Sequence, residues 1–243
     1  RGRALLAPPG PDEDPAGDLH LSARAIGFHL RLPEALRAGA PPDDVSGGDA
    51  VQRERFLRAM RHIASARAPG AVAAIGPPPP GGRLLDVGGA PGTYARALAA
   101  AGWDVTVADL PEALAVGGAD LEAAGIATVP ADAAEALPEG PWDAIYMGNL
   151  VHLFDRDAAA ALIARAGAAL RPGGLLAVQE VLRDLSPQGP AFGVTMLLAT
   201  PGGDAYALAD YRDWMAAAGC PIERTASLDE GWHHLLLGRR AGP

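Results

Sequence analysis

Lysine is absent from this sequence, since all 20 of its basic residues are arginines. The absence excludes the lysine Schiff bases of pyridoxal enzymes and the lysine of a P-loop nucleotide site. Basic residues are also in the minority, because 29 acidic residues leave the chain with a formal charge of −9. Affinity for nucleic acid is built from clustered basic side chains, so this balance argues against a nucleic-acid partner.

Cysteine and long apolar runs are scarce as well. Cys220 is the single cysteine and has no partner for an internal disulfide, which predicts a reducing, cytoplasmic compartment. No apolar run approaches the ~20 residues that span a bilayer, so we predict no membrane partner. Histidines and carboxylates show no spacing typical of a zinc or magnesium site, and we therefore expect no bound metal.

A dense cluster of proline and glycine at residues 77–82 divides the chain. Proline breaks helices and glycine frees the backbone, so the cluster indicates a boundary. Ahead of it, two stretches at residues 19–38 and 49–75 have the composition of helices. We divide the chain into a start at residues 1–18, a helical segment at 19–76 and a main domain at 77–243.

Beyond the boundary, short apolar runs alternate with longer helical stretches. The runs predicted to be strands lie at residues 84–87, 105–108, 126–129, 144–147 and 175–181. Helices are expected at 91–101, after Pro111, at 156–170 and at 208–218, with a turn at 172–174. This alternation predicts a parallel, doubly wound α/β sheet. Two final runs, at 222–226 and 234–237, have no helix between them and are expected to form an antiparallel hairpin on the sheet edge.

The turn after the first predicted strand reads Asp86-Val87-Gly88-Gly89-Ala90-Pro91-Gly92. Glycines at such a turn let a ligand approach the backbone, and the following helix offers free N–H groups. Asp109 ends the second strand, where a carboxylate can accept hydrogen bonds from both ribose hydroxyls of an adenosine cofactor. The glycine spacing fits a nicotinamide site poorly because Ala90 occupies a glycine position. S-adenosylmethionine is the predicted cofactor, because it has no pyrophosphate and its binding loop has less need of that glycine spacing.

Other candidate cofactor contacts follow the later strands. Asp132 lies just after the third strand, where it can reach the adenine amino group, although a solvated loop acid is the alternative. Arg53 can hold the methionine carboxylate of the cofactor, with a solvated helix charge as its alternative. The neighbours that we add to this candidate site are Leu110, Ala133, Gly148 and Asn149.

His152 is the candidate catalytic residue. It follows the fourth predicted strand, at the carboxyl edge of the sheet where doubly wound folds bind ligands. A neutral imidazole there can take the proton of an acceptor hydroxyl, and such general bases contribute roughly 10² to 10⁴ in rate. A lone histidine is more often structural, so the residues by themselves leave both interpretations open.

Taken together, these motifs resemble those of the small-molecule O-methyltransferases related to the plant caffeate, acetylserotonin and anthracycline methyltransferases. The resemblance covers nearly the whole chain, and its parts occur in the same order. The matching segments are 85–89, 109–111, 149–152, 170–174, 200–203 and 218–219, together with Phe56, Ala59 and Met60 of a helix that roofs the site.

The resemblance implies a class I, Rossmann-like S-adenosylmethionine methyltransferase fold with a seven-stranded sheet. It also implies an N-terminal winged-helix domain that makes the full-length protein a homodimer, and residues 1–18 match only the last part of such a domain. In the family, the histidine at position 152 is the general base, and a glutamate at position 180 steers it. The small-molecule acceptor is expected to contact an apolar pocket formed by Phe28, His29, Met60, Phe154 and Met196.

Two departures from the family pattern bear on the chemistry. Plant members have aspartate directly after the histidine, where this chain has Leu153. They also carry a second glutamate, whose position matches Ala205, and the adjacent Asp204 is a weak substitute. Some relatives work without an effective base, or have turned to decarboxylation or hydroxylation. The alternative to an O-methyltransferase is therefore a relative of that kind.

Overall fold

The structure is a computed structural model that describes residues 25–39, 41 and 50–242, with side chains in its long helix described from Phe56 onwards. The predicted start at residues 1–18 lies outside the described residues. The helices are α1 (Leu32–Ala38), α2 (Ala50–Ile75), α3 (Thr93–Ala100), α4 (Pro111–Ala123), α5 (Arg156–Ala169), α6 (Gly189–Ala199) and α7 (Leu208–Ala217). The strands are β1 (Arg83–Val87), β2 (Asp104–Asp109), β3 (Ala127–Pro130), β4 (Trp142–Gly148), β5 (Leu170–Glu180), β6 (Ile222–Leu228) and β7 (His233–Arg239).

The seven strands form one sheet in the order β3-β2-β1-β4-β5-β7-β6. β1 to β5 pair in parallel, whereas β7 runs antiparallel to both β5 and β6. The predicted doubly wound sheet with a terminal antiparallel hairpin is therefore confirmed. The reversal of β7 also brings its first residues to the carboxyl edge of the sheet, where Glu180 pairs with His234.

Two apolar cores hold the layers together, one on each face of the sheet. The first, which we call the α5 face, packs Leu85, Ile145 and Leu176 against α5 and α7. The second, the α2 face, packs Leu84, Leu98 and Leu235 among residues of α2, α3 and α4. Successive residues of a strand point to opposite faces, so the inner strands carry buried apolar residues on both faces rather than on alternate positions only. Among the described helices, none combines the length and apolar character needed to cross a membrane.

The structure differs from the sequence-based expectation in three places. The predicted helix at 19–38 is interrupted at Arg31 within its described part, because Pro33 is tolerated only in the first turn of α1. Helix α6 was not predicted, since Gly189, Pro190 and Gly193 obscure its helical pattern. The turn predicted at 172–174 lies inside β5, where the pairing with β4 jumps and leaves a bulge.

The boundary predicted at residue 77 falls in the segment between the end of α2 at Ile75 and the start of β1 at Arg83. The division of the chain into domains stays a prediction.

The α5 face gives a test of the core. Leu162 is fully buried, whereas Leu185 is 46% exposed. We expect Leu162→Ala to lower the free energy of unfolding by about 2–5 kcal/mol, because it removes packed methyl groups and leaves a cavity. Leu185→Ala, the matched control, should change it by no more than about 0.5 kcal/mol. Urea unfolding followed by circular dichroism measures both, and equal effects would contradict this assignment of the core.

Candidate functional site

Close packing around the loop after β1 allows only glycine at two of its positions. Gly88 has a φ of +69°, and a Cβ placed on it would lie 3.0 Å from the side chain of Leu150. A Cβ on Gly89 would lie 2.5 Å from the carboxyl carbon of Asp86, a distance that no real contact shows. Leu150 and Asp86 therefore pack directly against the backbone of this loop, which leaves no room for a side chain at either position.

Asp109, at the end of β2, is oriented by the same loop. Its Oδ2 accepts a hydrogen bond from the backbone N of Ala90 at 2.9 Å, and its Oδ1 accepts one from the backbone N of Leu110 at 2.7 Å. Burial raises the pKa of Asp109, while the two backbone hydrogen bonds oppose that rise. The carboxylate is thus held in one direction and keeps lone pairs for a ligand.

A cavity of about 340 Å³ lies beside Asp109 at the carboxyl edge of the sheet. It brings together several predicted cofactor residues from three separate loops: Gly88, Asp109, Leu110, Asp132 and Ala133. Its remaining wall is mostly apolar, with Leu150, Leu153 and Phe154 on one side. Phe154, which was predicted to line the acceptor pocket, is among the residues of this wall, and its role in acceptor binding stays a prediction.

Asp86 lies under the loop and is 1% exposed. Neither of its carboxylate oxygens has a hydrogen-bond partner within the described part of the chain. Burial, and then the charge of Asp109, raise the pKa of Asp86 to about 8. A buried carboxyl group without partners is costly unless a ligand satisfies it, so its position marks a place for a cation or donor.

The turn after β4 shows a second unsatisfied group. Gly148 ends the strand, and a Cβ there would meet the hydroxyl of Tyr146 at 2.6 Å. Asn149 follows with a φ of 55°, which is uncommon outside glycine. Its Oδ1 is buried, and no described residue donates a hydrogen bond to it. Strained, unsatisfied residues of this kind cluster at functional sites.

His152 and Glu180 form a buried pair. The Nδ1 of His152 lies 2.6 Å from Oε2 of Glu180, which is fully buried. Oε1 of Glu180 accepts hydrogen bonds from the backbone N of Leu150 at 3.0 Å and of Val151 at 2.7 Å, and the N of His152 approaches at 3.4 Å. Because the carboxylate is already accepting these amides, His152 donates from Nδ1. Its Nε2, which no described residue contacts by a hydrogen bond, is left as an acceptor.

Helix α6 covers this pair. The ring of Phe192 meets His152 edge-on, with ring centroids 4.9 Å apart, and Met196 is buried one turn later. On the same helix, the hydroxyl of Thr195 lies 3.1 Å from Nε2 of His29. The structure therefore brings Met196 and His29 to one roof, while Phe28 and Met60 are half-buried residues of neighbouring helices.

The loop after α6 contains the position at which the family pattern has a second glutamate. Ala205 is fully buried, and the backbone N of Asp204 donates to the carbonyl of His152 at 3.0 Å. The side chain of Asp204 forms an ion pair with Arg183. Asp204 thus supports the backbone of His152, and its carboxylate is engaged elsewhere. The side chain of Arg53 lies outside the described residues.

Sequence reasoning missed a polar chain on the α2 face. The hydroxyl of Tyr146 donates to Oε1 of Gln179 at 2.9 Å, and Nε2 of Gln179 donates to the hydroxyl of Tyr94 at 2.8 Å. Burial raises the pKa of Tyr146 well above its usual value, so its hydroxyl stays a donor. One residue of the sequence could have indicated this chain of hydrogen bonds, since Gln179 is a polar residue within the apolar run 175–181.

Two consecutive histidines begin β7. His233 bonds to Asp229 through both its backbone N, at 2.9 Å, and its Nδ1, at 3.0 Å. Burial, and then the charge of Arg67, lower the pKa of His233 to about 4, so the ring is neutral. His234 points to the opposite face, where its Nε2 is buried and no described residue bonds to it.

The sheet order, the loop after β1 and the carboxylate at the end of β2 define a Rossmann-like methyltransferase fold. A family model described as a methyltransferase domain matches residues 53–225. The chain belongs to this family of methyltransferase-domain proteins.

Named relatives agree with this family. The 3-hydroxy-5-methyl-1-naphthoate 3-O-methyltransferase of Streptomyces sahachiroi is 34% identical over 154 residues, which cover 59% of this chain and 44% of that protein. The chain thus spans less than half the length of this curated relative. The mitomycin 7-O-methyltransferase structure matches with a TM-score of 0.80 at 25% identity, covering 99% of this chain and 75% of that one.

A third protein, an O-methyltransferase from neocarzinostatin biosynthesis, was solved in complex with S-adenosylmethionine and 2-hydroxy-5-methyl naphthoic acid. It matches with a TM-score of 0.76 at 22% identity and covers 90% of this chain and 70% of that one. At this identity, the likeness shows the fold.

The burial of Asp86, whose carboxylate no described residue contacts by a hydrogen bond, can be tested by measuring the free energy of unfolding as a function of pH. Since its pKa in the folded protein, about 8, lies above its usual value, folding favours the protonated form. The stability that it contributes is present at low pH and is lost as the pH rises towards about 8. We expect Asp86→Asn to raise the free energy of unfolding at pH 8.5 by about 1 kcal/mol or more relative to its effect at pH 5.

Urea unfolding of the cofactor-free protein across this pH range makes the measurement. Asp104→Asn, an exposed change at the start of β2, is the matched control and should show no such pH dependence. An equal effect of Asp86→Asn at both pH values would contradict the burial of an unpaired carboxyl group.

Proposed function

We propose that this chain is an S-adenosylmethionine-dependent O-methyltransferase that methylates a hydroxyl of a small aromatic or polyketide-like molecule. The observation that carries this proposal is the His152–Glu180 pair. Nε2 of His152, to which no described residue bonds, lies at the sheet edge that also holds the Asp109 cavity. His152, which can accept a hydroxyl proton, and Asp109, which can bind the ribose hydroxyls, therefore belong to one proposed site. The family membership and the names of the relatives agree with it.

The residues present fit the cofactor. Asp109 faces the cavity with free lone pairs for the ribose hydroxyls, and the apolar wall beside Asp132 and Ala133 suits a flat adenine ring. Asp86 supplies a buried carboxyl group for the ammonium of the methionine end, which would satisfy its two unpartnered oxygens. Gly88 lines the same cavity and lies between these positions in the chain. Gly148 ends β4 and Asn149 follows it, at the same edge of the sheet.

The chemistry divides between the cofactor and this chain's residues. When bound, S-adenosylmethionine supplies an electrophilic methyl group on a positively charged sulfur. Nε2 of His152 would take the proton of the acceptor hydroxyl as that hydroxyl oxygen becomes the nucleophile for the methyl group. Glu180 fixes the tautomer and stabilises the imidazolium that forms, as a carboxylate does for a catalytic histidine.

The acceptor class rests on the roof of the site and on the relatives. Phe192 and Met196 offer an apolar surface over His152, which suits a flat ring. Two of the relatives are named for a naphthoate acceptor or were solved with a naphthoic acid. We therefore infer an aromatic hydroxyl as the acceptor group. His29, joined to Thr195, supplies a polar group at the rim.

The alternative is a relative that binds the same cofactor and works by positioning, or performs decarboxylation or hydroxylation. One observation favours it: the carboxylate of Asp204 pairs with Arg183, so His152 has Glu180 as its single carboxylate partner among the described residues.

We also propose a cytoplasmic homodimer for the full-length protein. Ile26, Leu30 and Leu36 expose 60%, 77% and 68% of their surface near the start of the described chain, which leaves an apolar face for a partner copy.

The first test concerns Asp109. Asp109→Ala should weaken the binding of S-adenosylmethionine by ~2–4 kcal/mol, because charged hydrogen bonds to both ribose hydroxyls are lost in a buried site. Asp104→Ala, at the exposed start of the same strand, should leave the affinity unchanged. Isothermal titration calorimetry compares the two. Unchanged affinity in Asp109→Ala, or tighter binding of NAD than of S-adenosylmethionine to the wild type, would rule out the proposed cofactor site.

The second test separates a general base from a structural histidine. His152→Gln should lower the rate of methyl transfer by about 10²-fold or more, because the proton acceptor is lost. Glu180→Gln should cost less, since the imidazole survives and loses only its charged partner. The double variant should be little worse than His152→Gln, because the two residues act as one unit.

Single-turnover methyl transfer to a hydroxynaphthoate acceptor measures these rates, and cofactor affinity by calorimetry is the control for an intact site. Near-normal turnover in His152→Gln, with transfer detected in the wild type, would place the protein with relatives that work by positioning. Cofactor binding without any methyl transfer would favour the other chemistries.

A further inference from the structure

The loop between α6 and α7 packs directly against the main chain of His152. The backbone N of Asp204 donates a hydrogen bond to the carbonyl oxygen of His152 at 3.0 Å. A Cβ placed on Gly203 would lie 2.2 Å from the same oxygen, so the two segments touch with no space between them. A displacement of this loop is therefore transmitted to the main chain that carries the imidazole.

Arg183, which follows β5, binds three consecutive residues of this loop. Its backbone N donates to the carbonyl of Tyr206 at 3.0 Å, and its Nε donates to the carbonyl of Ala205 at 2.7 Å. Nη2 of the same guanidinium group donates to the carboxylate of Asp204. The donors of a guanidinium group are fixed in one plane, so these bonds set the orientation of residues 204–206 as well as their distance from the sheet.

The segment that carries Arg183 also carries the carboxylate partner of His152. Glu180 ends β5, and its Oε2 lies 2.6 Å from Nδ1 of the imidazole. Val181 and Leu182 lie between Glu180 and Arg183, and both are buried. One short segment therefore holds His152 twice, because Glu180 orients the ring and Arg183 fixes the loop that contacts the carbonyl oxygen.

The exposure of Arg183 indicates what its bonds contribute. Its side chain is 42% exposed, and that of Asp204 is 40% exposed. Ion pairs in contact with water to this extent add little to the stability of a fold. Ala205, by contrast, is fully buried, and its carbonyl oxygen accepts the hydrogen bond from Nε of Arg183. The bonds of Arg183 therefore fix the conformation of one loop rather than the fold.

We propose that Arg183 is a positioning residue for His152. By fixing the loop between α6 and α7, it keeps the main chain of His152, and with it Nε2, at the place where the acceptor hydroxyl is deprotonated. The inference rests on the proposed function, because Arg183 acts through His152. A displacement of about 1 Å at a reacting group can lower a rate by roughly 10²-fold, so loss of the two side-chain bonds should slow the methyl-transfer step.

The experiment compares wild type with Arg183→Met, which keeps an unbranched side chain and removes its donors. Single-turnover transfer from S-adenosylmethionine to 3-hydroxy-1-naphthoate, with both at saturation, should be about 10- to 100-fold slower. The affinity for S-adenosylmethionine, measured by calorimetry, should be unchanged. Arg171→Met is the matched control and should keep the wild-type rate. Arg171 is 44% exposed and pairs with Asp143, but it lies near the start of β5.

Further variants separate positioning from a general structural effect. In a His152→Gln background, Arg183→Met should cause little further loss, because residues that act through one group do not add. A purely structural role would lower the rate by the same factor in both backgrounds. Asp204→Asn keeps the bond from Arg183 to Ala205 and should lie between wild type and Arg183→Met. If Arg183→Met unfolds, as judged by circular dichroism, Arg183→Lys is measured in its place, since it keeps the charge without the paired donors.

A second measurement does not depend on turnover. The proton that joins Nδ1 of His152 to Glu180 gives a ¹H NMR signal, which is assigned by its loss in His152→Gln. This signal should shift or broaden in Arg183→Met, because the ring is no longer held in one position, and it should remain unchanged in Arg171→Met.

The inference is overturned if Arg183→Met keeps the wild-type rate, if its loss is as large in the His152→Gln background as in the wild type, or if the Nδ1 signal is unchanged. An equal loss of cofactor affinity would also overturn it. If the wild type binds S-adenosylmethionine but transfers no methyl group, the proposed function fails, whereas the Nδ1 signal still decides whether Arg183 positions His152.

Discussion

The buried carboxylate of Glu180 is the interaction on which the site depends. It ends β5, accepts hydrogen bonds from the backbone of the turn after β4 and holds Nδ1 of His152. One group thereby joins two neighbouring strands at their carboxyl ends and sets the direction of the imidazole. The same turn supplies Leu150, Leu153 and Phe154 to the wall of the first cavity. The proposed base and the proposed cofactor cavity therefore both depend on the conformation of this turn.

The sheet separates two polar assemblies. Gln179 and Glu180 are consecutive residues of β5, so their side chains point to opposite faces. Glu180 orients His152 beneath α6, while Gln179 joins Tyr146 and Tyr94 on the α2 face. Both residues lie at the carboxyl end of β5, so the two assemblies are found at the same edge of the sheet. An apolar core packs behind each assembly, on its own face of the sheet.

The departure at Ala205 changes how the base is supported. Its position is filled by a small buried residue, and the neighbouring carboxylate of Asp204 is neutralised by Arg183. The backbone of Asp204 nevertheless donates to the carbonyl of His152. Support of the histidine has therefore shifted from a second charge to main-chain contacts and to the ring of Phe192. Those contacts orient a ring well but stabilise a positive charge on it less than a carboxylate does.

Much of this protein follows from the sequence alone. Apolar runs of strand length and the helical stretches between them predicted the sheet and its terminal hairpin, because both patterns are set by local periodicity. The position of Asp109 at the end of β2 and of His152 after β4 followed as well, since parallel strands place their carboxyl ends at one edge. The pairing of His152 with Glu180 rested on the family resemblance, and the structure places the two in contact.

Only the tertiary structure decided the rest. Helix α6 is stabilised by burial of residues such as Leu198, which outweighs its glycines and proline. The Arg67–Asp229 and Arg183–Asp204 pairs, and the row through Gln179, join residues that lie far apart along the chain. Periodicity reports which face a residue occupies but carries no information on which distant polar group shares that face. Where each buried polar group finds its partner, or is left for a ligand, is therefore determined by packing.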